Sequence, residues 1–107
     1  MTHTKLIELN GSIVLSNFKL DETELIVAKK IIGNFAEKIR NFQEYKEIKL
    51  EMKMHSKQGA KNYEMHAFVE FDGWKATSES RGINPFVLIN EVMEKVLNET
   101  KHKNIEK

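Results

Sequence analysis

The stretch from Lys46 to Ser80 constrains this chain most, because it reads as three consecutive antiparallel strands against which the rest must pack. At its centre is Phe71-Asp72-Gly73-Trp74, where Asp-Gly suits the two positive-φ positions of a type I′ two-residue hairpin. With Phe71 opposite Trp74, the pairs Val69/Ala76, Ala67/Ser78 and Met65/Ser80 fall on one face. Glu70/Lys75, Phe68/Thr77, His66/Glu79 and Glu64/Arg81 fall on the other. One face is mostly apolar, and the other sets opposite charges against each other.

The preceding segment, Lys46 to His55, alternates so strictly that a helix would scatter its apolar residues around the whole circumference. It is predicted as a half-buried strand. A loop of Gln58-Gly59-Ala60-Lys61 places Lys57 opposite Asn62, so that Ile48, Leu50, Met52 and Met54 face Phe71, Val69, Ala67 and Met65 on the buried side. The same register sets Lys49 beside Glu70 and His55 beside Glu64 on the wet side. Both turns thus agree on which face is buried, and consistency between levels is the mark of a specified structure.

Upstream, Ile7, Leu9, Ile13 and Leu15 recur at period two around Asn10-Gly11-Ser12, predicting a strand over Lys5 to Ser16 with a bulge or break near Gly11. Asp21 followed three residues later by Glu24 forms a capping-box signature with an acidic first turn. Leu25, Ala28, Ile32, Phe35, Ala36, Ile39 and Phe42 then mark one apolar helical stripe. Gly33 within it costs about 1 kcal/mol relative to Ala; it either allows close packing or is merely tolerated. After the strands, Asn84 can cap a second helix with Pro85 at its first position, and Ile83 and Leu88 are spaced for a hydrophobic staple. Phe86, Ile89, Met93, Val96 and Leu97 form the inward stripe of that helix, while Asn104 to Lys107 are expected to be disordered.

The expected fold is α+β: a two-layer sandwich in the order β-α-β-β-β-α, with two helices on one face of a four-stranded sheet. The pattern does not fix where the first strand pairs, although a helical crossover suits a parallel neighbour. A single domain spanning 1–107 is expected, large enough for one core without disulfides or metal. There is no cysteine, no signal-peptide pattern over Met1 to Leu9 and no apolar run long enough to span a bilayer, so a cytoplasmic protein with no membrane partner is expected. Seventeen Lys+Arg against sixteen Asp+Glu leave a net charge of +1, so any argument for a nucleic-acid partner rests on where the charges sit.

Candidate chemistry is sparse. No glycine-rich phosphate loop is present, and Ser78 and Ser80 have no base and orienting acid at a recognisable spacing, so no catalytic residue, small-molecule substrate or cofactor is expected. The four histidines form no metal motif. His55 and His66 do fall near Glu64 and Glu79 on the wet face, but solvated cross-strand pairs are the favoured reading there and no metal is expected. Trp74 reads as a core-edge residue rather than a base-stacking platform. Phe68, placed on the wet face, either covers an apolar patch, contacts a partner or marks an error of register. The basic residues off the apolar stripes are Lys29, Lys30, Lys38 and Arg40 on the first helix and Lys95, Lys101 and Lys103 on the second. Exposed helix lysines are usually a solvated face, but two neighbouring helices can merge them into one basic surface.

The run Asn84-Pro85-Phe86-Val87-Leu88-Ile89-Asn90, followed by Glu94-Lys95-Val96-Leu97 and Lys101-His102-Lys103, resembles the end of the ribosome hibernation-promoting factor and ribosome-associated inhibitor family. Glu37-Lys38-Ile39-Arg40-Asn41-Phe42 is similar to the end of that family's first helix. The resemblance implies a translation inhibitor that sits in the small ribosomal subunit, contacts its rRNA, covers ground used by messenger and transfer RNA, and silences idle ribosomes. It also implies the short form, without the C-terminal domain that pairs ribosomes, acting as a monomer on the ribosome. By match it assigns RNA contact to Lys38, Arg40, Lys95, Lys101 and Lys103; Lys29 and Lys30 join them from charge position alone. Leu88 and Asn90 depart from the small residue and Asp usual in that helix, and Ser12 to Leu20 is longer than the family's first turn. Two other readings remain: a double-stranded-RNA module, although Asn84-Pro85-Phe86-Val87 lacks the usual Lys-Lys pair, and a partner-binding domain using a sheet edge or Phe68.

Overall fold

The chain runs β1 (Leu6–Leu9), β2 (Ile13–Ser16), α1 (Glu22–Phe42), β3 (Glu47–Lys57), β4 (Ala60–Glu70), β5 (Lys75–Gly82) and α2 (Pro85–Ile105). This computed structural model describes residues 6–9 and 12–105. The architecture is the expected α+β one: a four-stranded mixed sheet, β2-β3-β4-β5, with both helices on one face. The segment read as one strand from Lys5 to Ser16 is broken, as one of the two expected alternatives had it. Its halves pair antiparallel, Leu6 opposite Ser16 and Leu9 opposite Ile13, so β1 adds a fifth strand at the edge; Lys5, Asn10 and Gly11 lie outside the described residues. The α1 crossover returns the chain so that β2 lies parallel to β3, with Ile13 beside Ile48 and Leu15 beside Leu50.

The β4–β5 register is the one read from the sequence, from Glu70 opposite Lys75 to Glu64 opposite Arg81. Its turn is not. Phe71 N–H donates to the Trp74 carbonyl at 2.8 Å, but only Gly73 (φ 88) has positive φ. Type I′ needs two such residues, whereas one at the second central position is what type II requires. The I′ pattern occurs instead at Gln58 (φ 54) and Gly59 (φ 82), which join β3 to β4. Lys57 therefore faces Ala60, not Asn62, and the expected register is off by two residues. Ile48 faces Val69, Leu50 faces Ala67, Met52 faces Met65, and Lys49 and His55 face Phe68 and Asn62 rather than Glu70 and Glu64. Because side chains alternate with period two, an even slip leaves every residue on its predicted face.

Asp21 caps α1 with a complete capping box: its side chain accepts from Glu24 N–H at 2.8 Å, and Glu24 accepts from Asp21 N–H at 3.1 Å. Ala28, Ile32, Ala36 and Ile39 are buried, with Leu25 and Phe35 at the rim and Phe42 43% exposed. At Gly33 nothing lies within 4 Å of where a Cβ would sit, so close packing does not explain the glycine. Asn84 Oδ1 accepts from Phe86 N–H at 3.0 Å, capping α2 at Pro85. The expected staple does not form, because Ile83 is 77% exposed while Leu88 is buried against Gly82. α2 also buries Val92 beyond its expected stripe. It continues through Asn104, whose side chain donates to the Thr100 carbonyl at 2.9 Å, and Ile105, so these two residues are helical rather than disordered.

Both helices close over Ile13, Leu15, Ile48, Leu50, Met52, Met65, Val69 and Phe71, all essentially fully buried. Met54, expected inside, is 37% exposed near the far end of β3. Ser78 and Ser80 are tolerated on the inner face because their hydroxyls donate to the Val92 carbonyl (2.8 Å) and to Glu91 on α2. The other sheet face stays open.

Candidate nucleic-acid interface

The two helices run in the same direction. Phe35 lines a shallow depression with Glu94, Lys95 and Asn98 of α2, and further along Phe42 lies under Lys101, whose Nζ is 5.7 Å from the ring centroid. Their C-terminal ends therefore meet at one end of the molecule. The β4–β5 turn is there too: the Lys103 Nζ lies 5.3 Å from the centroid of Trp74, which stacks on Phe71 at 4.4 Å. Trp74 is thus a half-buried core-edge residue, as expected.

Four of the seven candidate cations rest on aromatic rings. Lys38 lies 5.3 Å over Phe35, and Arg40 lies 5.2 Å over Tyr45 while donating to its hydroxyl at 2.9 Å. Lys101 and Lys103 are the other two. An uncharged ring steadies a cation and covers its stem without neutralising it. Among the described residues none of the seven is ion-paired, so their charge stays available to a phosphate.

The seven do not make one continuous patch. Lys38 sits one turn before Phe42, with Lys101 and Lys103 at the end where both helices finish; Arg40 is in the same last turn of α1 but lines a separate depression with Ile13, Gly33, Glu37 and Tyr45. Lys29 and Lys30 belong to the first half of α1, about 12 Å or more back along the axis. Lys95 reaches to the β5 edge, donating to the Glu79 carbonyl at 3.0 Å, with Glu91 and Glu94 beside it. The middle of the helical face is therefore mixed in charge, whereas its end holds the ring-supported cations beside one exposed carboxylate, Asp72. One residue that the helix pattern missed joins this end: Lys46, at the entry to β3, lies 3.8 Å from Asp72 in the β4–β5 turn. Only the hairpin geometry brings it there, so its place in the strand alternation gave no signal.

On the open face Phe68 is half-buried, with Lys75 Nζ 4.9 Å over its ring. It lines a shallow groove with Glu47, Lys49, Glu51, His66, Thr77 and Glu79. No helix among the described residues is long and apolar enough to cross a membrane.

No family model matches the sequence, and no curated protein matches it. The fold does have counterparts among solved structures. The N-terminal domain of Thermus thermophilus Protein Y superposes with a TM-score of 0.57 at 11% identity, over 84% of this chain and 91% of that one. A ribosomal subunit interface protein from Coxiella burnetii superposes with a TM-score of 0.58 at 10% identity, over 88% and 96%. This chain shares their fold. The architecture implied by the resemblance in the α2 and α1 segments is the one found, and it extends over nearly the full length of both counterparts.

Proposed function

We propose that this chain is a ribosome-binding translation inhibitor that occupies the messenger- and transfer-RNA region of the small subunit and keeps idle ribosomes silent. The observation that carries the reading is the shared fold with a ribosomal subunit interface protein over 88% of this chain and 96% of that one. Charge placement supports it. The ends of α1 and α2 hold Lys38, Arg40, Lys101 and Lys103 unpaired among the described residues, with their stems on rings, which suits contact with rRNA phosphates. Lys29, Lys30 and Lys95 extend the same surface at lower charge density. In this reading the protein acts in the cytoplasm as a monomer, through RNA contacts and without catalysis.

Sedimentation of the purified protein with isolated small and large subunits tests the proposal. Co-migration with the small subunit alone is expected, together with inhibition of cell-free translation. If about four phosphates are contacted, affinity falls on the order of a hundredfold between about 50 and 200 mM salt. Absence of binding to either subunit, or binding indifferent to salt, overturns the reading.

A further inference from the structure

The open face of the sheet carries a cluster that ribosome binding through the helix ends does not use. Glu64 and His66 are two residues apart on β4, so their side chains share a face. Glu79 on β5 lies opposite His66, Arg81 opposite Glu64, and His55 on β3 lies diagonal to Glu64. Separate cross-strand pairs would give each carboxylate its own partner. Instead the Glu64 carboxylate is shared: Oε2 lies 2.6 Å from His66 Nε2, and Oε1 lies 3.3 Å from His55 Nε2 and 3.9 Å from Arg81 Nε. Its side chain is only 13% exposed.

His66 is also doubly engaged. Its Nε2 faces Glu64, and its Nδ1 lies 3.5 Å from Glu79 Oε2. A neutral imidazole has one N–H and one lone pair, so a neutral His66 can donate to only one of these two carboxylates. A second proton on the ring, or a metal ion between ring and carboxylate, satisfies the other.

We propose that Glu64, His66 and Glu79, joined by His55, form a binding site for a divalent transition-metal ion of the zinc class. Glu64, His66 and Glu79 each offer a ligand atom within 4.8 Å of the others. A tetrahedral zinc with bonds near 2.1 Å needs ligand atoms about 3.4 Å apart, so the 2.6 Å Glu64–His66 contact must open by about 0.8 Å while Glu79 swings in from the Nδ1 side of the ring. The β4–β5 ladder fixes the backbones, and the exposed Glu79 and His55 side chains supply the movement. Imidazole with carboxylate suits zinc, copper or nickel, whereas magnesium and calcium favour all-oxygen shells. Arg81 competes for Glu64, but its side chain is 76% exposed and free to swing away.

The test is calorimetric titration of the untagged full-length chain with zinc chloride at neutral pH, with NMR observation of the histidine rings. One equivalent binds saturably and moves the His55 and His66 ring signals while leaving His102, on α2, unmoved. His66→Ala weakens binding by at least about tenfold, Glu79→Gln weakens it less, Arg81→Ala tightens it, and His102→Ala changes nothing. Excess magnesium does not displace the zinc. Circular dichroism checks each fold, and Glu79→Gln, at an exposed position, carries the comparison if His66→Ala is unfolded. A parent affinity weaker than about 0.1 mM, or affinity unchanged by His66→Ala and Glu79→Gln, overturns the proposal. None of these readouts depends on ribosome binding.

Discussion

The Lys103 Nζ sits 5.3 Å above the Trp74 ring, so the last turns of α2 are docked on the β4–β5 turn rather than left free. Trp74 in turn stacks on the fully buried Phe71 at an interplanar angle of 12°. Trp74→Ala removes both contacts and is expected to cost roughly 2–3 kcal/mol. Lys103→Ala removes only the exposed cation–π contact, at about 0.5–1 kcal/mol. Urea unfolding followed by circular dichroism separates the two; equal losses would mean that the ring carries no packing of its own.

Leu50 is fully buried between Leu15 on one neighbour and Ala67 on the other. Leu50→Ala should cost roughly 2–5 kcal/mol, a large share of a small domain's stability. The adjacent Lys49 points to the open face, and Lys49→Ala should stay within about 0.5 kcal/mol. A thermal shift as small for Leu50 as for Lys49 would put the strand the wrong way round.

Gln58 holds φ 54, a conformation that strains an ordinary side chain, at the first central position of the β3–β4 turn. Gln58→Asn gives the Asn-Gly pair favoured in I′ turns and should stabilise by about 0.5–1 kcal/mol. Gly59→Ala, at φ 82, should destabilise by at least as much. Denaturant midpoints of the two variants must move in opposite directions.

That turn also shows where the sequence stops being legible. Faces were readable because alternation at Ile48, Leu50 and Met52 has a strict period, and the capping signals at Asp21 and Asn84 act within one helical turn. The β4–β5 register was readable too, but the β3–β4 register was not, because Gln-Gly carries a weaker turn signal than Asp-Gly, and sterics at the two turns distributed the I′ geometry the other way round. The candidate surface was legible as a set of lysines off the apolar stripes. Its division into a basic end and a mixed middle depends on Phe42, Trp74 and Tyr45 meeting particular cations, which is tertiary packing with no local signature.

The hydrogen bond with His66, reinforced by His55 and Arg81, holds the Glu64 carboxyl below its ordinary value of 4.5. A carboxyl depressed in the folded state stabilises the fold above its unfolded pKa, and that contribution is lost as pH falls through the folded value. The melting-temperature difference between the parent and Glu64→Gln should therefore be constant in sign above pH 4.5 and shrink as the pH falls further. A difference that grows on acidification would show that Glu64 is not held ionised by its neighbours.

If the helix ends contact rRNA, the ends of α1 and α2 should matter more than any other charged region, and the effect should be electrostatic in form. Lys38, Lys101 and Lys103 keep their charge because rings rather than carboxylates hold them. A Lys38→Glu, Lys101→Glu, Lys103→Glu variant should remain folded, lose most small-subunit binding, and show a flatter dependence of affinity on salt, since about three fewer counterions are released. Lys49→Glu with Lys53→Glu, on the open sheet face, should bind nearly as the parent does. Lys95→Glu should fall between, because that ammonium already donates to the Glu79 carbonyl and stands among acidic neighbours. Co-sedimentation at several salt concentrations ranks the three. If the sheet variant loses binding while the helix-end variant keeps it, the RNA-facing surface is the open sheet face, and the basic end is only a solvated terminus.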